Sequence, residues 1–145
     1  MVHRYRAKIS GPLLDRIDLH VFVRPLDAEE ILGNSVSESS TAVKRRVVKA
    51  RNVQQKRFHR CGARVNANMT PRQISRYCPL DESGRSVIRQ AITRLGLSAR
   101  AYHRIVKVAR TIADLADCEE IRASHIQEAI QYRIQEVGTN GRLLK

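Results

Sequence analysis

Ser10-Gly11-Pro12-Leu13-Leu14-Asp15-Arg16-Ile17-Asp18-Leu19-His20-Val21 reads as a short helix that ends on an arginine and runs directly into a strand. Pro12 suits the first helical position, where its missing N–H removes no helix bond. Leu13 and Leu14 supply apolar anchors, and Asp18 to Val23 (Asp-Leu-His-Val-Phe-Val) reads as the strand. A guanidinium on such a rigid corner, Arg16, is well placed to reach a group outside the chain. The plainer alternative is a helix-end arginine paired with Asp15 or Asp18 on the surface. On these residues alone both readings stand.

Outward from that stretch the chain is α-rich. Arg24 to Ser37, with Pro25, Gly33, Asn34 and several serines, reads as a connection between two structural parts. Ser37 to Ser40 offers an N-cap for a long helix reaching about Phe58, with Val43, Val47 and Ala50 as a narrow buried stripe. Thr70-Pro71 opens a short helix through Ile74 and Tyr77. Asp81 caps the next, whose core face is Val87, Ile88, Ala91, Ile92 and Leu95 and whose stop is Gly96. Ser98 begins the most amphipathic segment, with Ala101, Ile105, Val108, Ala109, Ile112, Leu115 and Ala116 on one side. A last helix carries Ile121, Ile126, Ala129 and Ile130 and ends near Tyr132-Arg133, before a Gly138/Gly141 tail.

With 145 residues the chain can bury one core, and with four Tyr, two Phe and no Trp that core must be mostly Ile, Val, Leu and Ala. No apolar run approaches a membrane span, and Met1-Val2-His3-Arg4-Tyr5-Arg6 leads into no signal-peptide core. Cys61, Cys78 and Cys118 are odd in number and lack C-x-x-C spacing, which fits a reducing compartment. A soluble, cytoplasmic protein without membrane partners is expected.

The formal charge of +13 is unevenly spread: residues 1–37 sum to zero, 38–60 to +7, 61–116 to +7 and 117–145 to −1. Lys44, Arg45, Arg46, Lys49, Arg51, Lys56 and Arg57 cover much of the long helix. Such a patch favours polyanions, DNA first among them; the bland alternative is a solvated, charged helix face. The segment Lys44, Arg45, Arg46 and Lys49 is the candidate nucleic-acid contact. With no aromatic platform or base-reading motif, binding would run through phosphates.

Much catalytic chemistry has no motif here. There is no G-x-x-x-x-G-K-[ST] loop, no apolar run ending in paired magnesium-holding acids, and no G-x-S-x-G elbow. His3, His20, His59, His103 and His125 are scattered; His59, Cys61 and a distant Cys78 do not make a four-ligand zinc site. No metal site is expected.

Three blocks in order resemble the C-terminal part of the magnesium-chelatase-related AAA+ ATPases of the ComM type: Arg4 to His20, Leu97-Ser98-Ala99-Arg100-Ala101-Tyr102-His103-Arg104, and Ala109-Arg110-Thr111-Ile112-Ala113-Asp114-Leu115. Asn66-Ala67-Asn68-Met69 and Ile121-x-x-x-His125-Ile126-x-Glu128-Ala129 agree more weakly. The resemblance runs from about residue 3 to Arg133. It implies a mainly α chain: the last strand of an AAA+ α/β core with its linker over 1–37, a helical-bundle lid over 38–134, and a disordered tail over 135–145. It also implies a competence-associated, hexameric ring ATPase that drives DNA branch migration in natural transformation, with ATP and Mg2+ as cofactors of the complete protein. In that pattern Arg16 holds the arginine-finger position, acting in trans on a neighbour's γ-phosphate. Arg100 holds the sensor-2 position, in a helix first turn that itself favours phosphate; cis or trans action is left open. The family's phosphate loop, magnesium acids and sensor-1 residue would lie upstream of Met1. The chain alone is therefore expected neither to bind ATP tightly nor to hydrolyse it. A stand-alone basic helical module that binds nucleic acid is the alternative, and a lid that mainly packs on neighbouring subunits is a third.

Overall fold

The computed structural model of the chain describes residues 16–21, 23–33, 37–59 and 62–134. Six α-helices run in order through these: α1 (Ala28–Leu32), α2 (Ser40–Phe58), α3 (Pro71–Tyr77), α4 (Glu82–Leu95), α5 (Ala99–Leu115) and α6 (Ala123–Ile134), with a 3₁₀ turn at Asn66–Asn68 between α2 and α3. The helix starts follow local chemistry. Ser39, Thr70, Asp81 and Ser98 each accept a backbone N–H two or three residues into the helix that follows, which satisfies a donor the helix cannot use itself. Thr70 and Gln73 form a reciprocal capping box around Pro71. At the other end of α4, Gly96 takes φ +61°, the left-handed C-cap that a side chain resists.

Helix α5 is the axis of the bundle, packed against α2, α3, α6 and the 3₁₀ turn, while α6 also packs on α4. Its Ile105, Val106, Ala109 and Ala113 are buried in one cluster with Ile126, Ala129 and Ile130 of α6, Ile88 and Ala91 of α4, Ile74 of α3 and Phe58 of α2. Small residues let helices close up. A Cβ on Gly84 would lie 3.1 Å from Ile126 Cδ1 and 2.9 Å from the capping Asp81 Oδ1, so α4 meets α6 where a side chain would intrude. A parallel bridge, Leu80 to Ile121, joins the entries to α4 and α6.

The structure departs from the sequence-based expectations in four places. The strand expected over Asp18–Val23 is absent from its described residues. A strand needs a laddered partner, and Ile17–Val21 has one described backbone bond, His20 N–H to Tyr132 O at 2.9 Å. Ile17, Leu19, Val21 and Val23, which would share one strand face, all remain exposed, so that face buries nothing to set a register. Within the expected connection, Ala28–Leu32 forms the short helix α1. On α2 the stripe is shifted: Ala50, Gln54 and Phe58 are buried, whereas Val43 and Val47 are exposed, because only the C-terminal half of the helix reaches the bundle. Leu115 and Ile92 are likewise exposed rather than in the core. The expected helix at Pro12 and the tail at 135–145 lie outside the described residues.

Candidate functional site

The N-terminal half of α5 carries a row of cations. Ser98 caps it, its Oγ accepting Ala101 N–H at 3.1 Å, and Arg100 stands exposed in the first turn. Arg104 and Lys107 follow at helical spacing on the same side, with His103 beside them. Arg100, His103, Arg104, Lys107, Ala67 and Asp18 line one cavity of about 380 Å3. Lys107 Nζ donates to Ala67 O at 2.8 Å, which fixes the 3₁₀ turn as one wall.

The opposite wall is the segment after Arg16. Arg104 Nη1 donates to Arg16 O at 2.6 Å and to Asp18 Oδ1. Arg133, from α6, donates to Ile17 O at 3.1 Å, next to the His20–Tyr132 backbone bond. Asp18 is thus the partner of Arg104 and not of Arg16. Asp15 lies outside the described residues. Arg16 sits in a turn with its backbone held and its side chain exposed, making no ion pair among the described residues. The structure therefore brings the Arg16 segment to the same cavity that Arg100 lines.

A second polar centre was not legible as such in the sequence. Asp114 of α5, with its side chain fully buried, accepts Arg57 Nη1 at 2.8 Å and Nη2 at 2.5 Å, Arg110 Nε at 3.1 Å and Asn66 Nδ2 at 2.8 Å. Asn66 also accepts Arg57 and donates to Thr111, and its own N–H goes to Gln54. Arg110 spends its remaining donors on the carbonyls of Cys118 and Glu119, both at 2.6 Å. Burial pulls the Arg110 guanidinium below its ordinary pKa, against the support of the Asp114 carboxylate. Burial likewise pushes the nearby Cys78 thiol up to about 11. This network faces a cavity of about 620 Å3. Every member has its partners, so it ties α2, the 3₁₀ turn and α5 together. Arg57 accordingly points inward and does not belong to the solvated basic face expected of α2.

That basic face is smaller than its residue count. Arg46 pairs with Glu38 at 2.9 Å and Lys49 with Asp117 at 2.7 Å. Lys44 and Arg45 are exposed without an ion pair among the described residues. Among the described residues no three His, Cys, Asp or Glu side chains converge to hold a metal ion, and no helix is long and apolar enough to cross a membrane. Cys61 lies outside the described residues.

Comparison with known proteins bears on the whole of this arrangement. Residues 1–31 match the family described as magnesium chelatase, subunit ChlI, and residues 37–133 match its C-terminal family, magnesium chelatase, subunit ChlI C-terminal. The chain is 40% identical over 134 residues to the competence protein ComM of Haemophilus influenzae, covering 91% of this chain and 25% of that protein. It is 41% identical over 132 residues to the uncharacterised protein YifB of Salmonella typhimurium, again 25% of the relative. A protein of Mycobacterium bovis is 33% identical over 130 residues, 26% of its length. The chain thus spans about a quarter of the length of the curated relatives it matches. On the match over residues 37–133, which takes in the bundle, the Asp114 network and the larger cavity, the chain belongs to the magnesium chelatase subunit ChlI C-terminal family.

Proposed function

We propose that this chain is the arginine-finger and lid portion of a ring-forming AAA+ ATPase related to ComM, with DNA as the polymer the ring acts on in branch migration. Arg16 is the finger, offered in trans to a neighbouring subunit, and Arg100 is the sensor-2 arginine. One observation carries the reading. Arg100 stands exposed in the capped first turn of α5, with no ion pair among the described residues, on a cavity that Asp18 of the segment after Arg16 also lines. The donor set fits a triphosphate: the exposed Arg100 guanidinium on a helix N-terminus, with the Lys107 ammonium on the same cavity. It does not fit Mg2+, since no carboxylate cluster faces the cavity, so in this reading the ion is held elsewhere in the ring protein. ATP supplies the transferable phosphoryl group. Arg100 orients its phosphates, and Arg16 stabilises the charge that develops on a neighbour's γ-phosphoryl.

The test is a complete relative that bears this arginine pair. Arg16→Ala should cut kcat by about 10³-fold while leaving ATP affinity unchanged, and Arg100→Ala should weaken ATP binding. Full turnover by the Arg16 variant would end the finger assignment. A second reading, a nucleic-acid contact on α2, is favoured by Lys44 and Arg45, which remain exposed with no ion pair among the described residues after Arg46 and Lys49 have found acids. The two readings are compatible within one ring.

A further inference from the structure

The finger segment is held by the lid, and the holding is done by two arginines that have no part in phosphate chemistry above. Arg104 reaches from α5 to Arg16 O and Asp18 Oδ1, and Arg133 reaches from α6 to Ile17 O. Tyr132 O receives His20 N–H. Four ties over five residues join segments 86 to 116 positions apart in sequence. The apolar side chains of this stretch, Ile17 and Leu19, are exposed, and its described residues form no strand.

We propose that Arg104 is a positioning residue, which with Arg133 seats the backbone of Arg16–His20 on the α5–α6 pair so that the lid carries the finger. The proposal rests on the reading of Arg16 as finger and Arg100 as nucleotide contact. Its consequence is mechanical coupling within one subunit. Arg100 lies one helical turn from Arg104 on the same rigid helix. A shift of α5 that follows nucleotide contact at Arg100 therefore displaces the Arg16 backbone by the same rigid-body motion, and the finger reaching the next subunit reports the state of its own.

The chemistry of the clamp sets the form of the test. One nitrogen, Nη1, makes both of Arg104's bonds, and its Nε is buried without a partner. A lysine ammonium, with several donors on one nitrogen, can make the same two bonds and leaves no orphaned donor. Arg104→Lys should therefore keep the clamp where Arg104→Met loses it.

The first readout is amide hydrogen exchange on this chain. In Arg104→Met, protection of His20 N–H should fall at least about tenfold, the value of one lost charged hydrogen bond, with Ala109 N–H unchanged. Arg104→Lys should restore His20. The second readout is steady-state ATPase of the complete ring protein carrying this segment: Arg104→Met should lower kcat with KM steady, as Arg16→Ala does. Unchanged protection at His20 overturns the proposal. So does equal loss at Ala109, which makes Arg104 a general stabiliser; Arg133→Met, on the other helix, repeats that comparison independently. A raised KM with intact kcat also overturns it, since Arg104 would then be a nucleotide ligand. If His20 responds as expected but Arg16→Ala leaves turnover intact, the clamp stands and the finger reading falls.

Discussion

Replacing Asp114 by asparagine tests what holds the bundle together. The carboxylate is fully buried and accepts from Arg57, Arg110 and Asn66; the side chains of Arg57 and Arg110 are 13% and 3% exposed. Asparagine preserves size but removes the charge, and its amide turns two donors toward guanidinium N–H groups that need acceptors. Two cations are then left in the interior without a counter-charge. Breaking a buried pair in this way costs about 3–5 kcal/mol, and the slight hydration of Arg57 places the expectation near the lower figure. Against a total stability of about 5–15 kcal/mol for a small domain, that is a large loss. With a urea m-value of about 1.5 kcal/mol/M, within the usual range, the midpoint should fall by about 2 M. Far-UV circular dichroism in urea reads it directly. Adding Arg57→Met to Asp114→Asn removes one orphaned charge and should recover part of the loss. A shift below about 0.5 M in the single variant would refute the argument that this network ties α2 to α5.

Two further outcomes follow from other parts of the structure. His125 Nδ1 accepts Arg122 N–H at 3.1 Å at the start of α6, and burial first, then Arg122 and Arg110, lower its pKa below the ordinary 6.5. The unfolded chain therefore takes up a proton first. Stability should be whole above pH 6.5 and fall as the pH drops below it, until the folded imidazole protonates too. His125→Gln, which can still accept at this third helical position, should flatten that loss in urea midpoints between pH 7.5 and 5.5; an unchanged pH dependence would exclude His125 as its source. On α2, reversing Lys44, Arg45, Arg46 and Lys49 to Glu should abolish DNA binding. Reversing only Lys44 and Arg45, the unpaired two, should account for most of the effect and lower the salt slope by about 2; equal weight for Arg46 and Lys49 would mean that their ion pairs open on binding.

The legible parts of the fold were the ones written in adjacent residues. Ser39, Thr70-Pro71, Asp81, Gly96 and Ser98 are start and stop signals whose chemistry acts within four positions, and four helix starts and the end of α4 follow from them. What was not legible depends on partners far along the chain. Val43 and Val47 have helical spacing, but no element among the described residues lies over that half of α2 to bury them. Asp-Leu-His-Val-Phe-Val has the composition of a strand, yet a ladder is a property of two segments. Arg57 looked like one more basic surface residue because its partner Asp114 is 57 positions away. Of the site, Arg16 and Arg100 were named from the three matching blocks. Arg104 stood inside one of them, and only its contact with Arg16 O gives it a role.

Those blocks meet on one helix, and this separates stability from positioning. Asp114 and Arg104 lie on α5 at 10 positions' spacing, about 15 Å along the axis. They share no partner: Asp114 draws on α2 and the 3₁₀ turn, and Arg104 on the Arg16–Asp18 segment. Effects at such a distance add to within about 0.5 kcal/mol. Below the urea transition, Asp114→Asn should leave His20 more protected than its neighbours Leu19 and Val21 by the same margin as in the parent chain. Arg104→Met should erase that margin while moving the urea midpoint little. The double variant should show both changes and no third. If Asp114→Asn alone frees His20 while the helices remain folded, then α5 does not behave as a rigid rod between its two ends. Motion at Arg100 would then dissipate before it reached Arg16, and the coupling of lid to finger would fail on mechanical grounds, whatever the chemistry of the two arginines.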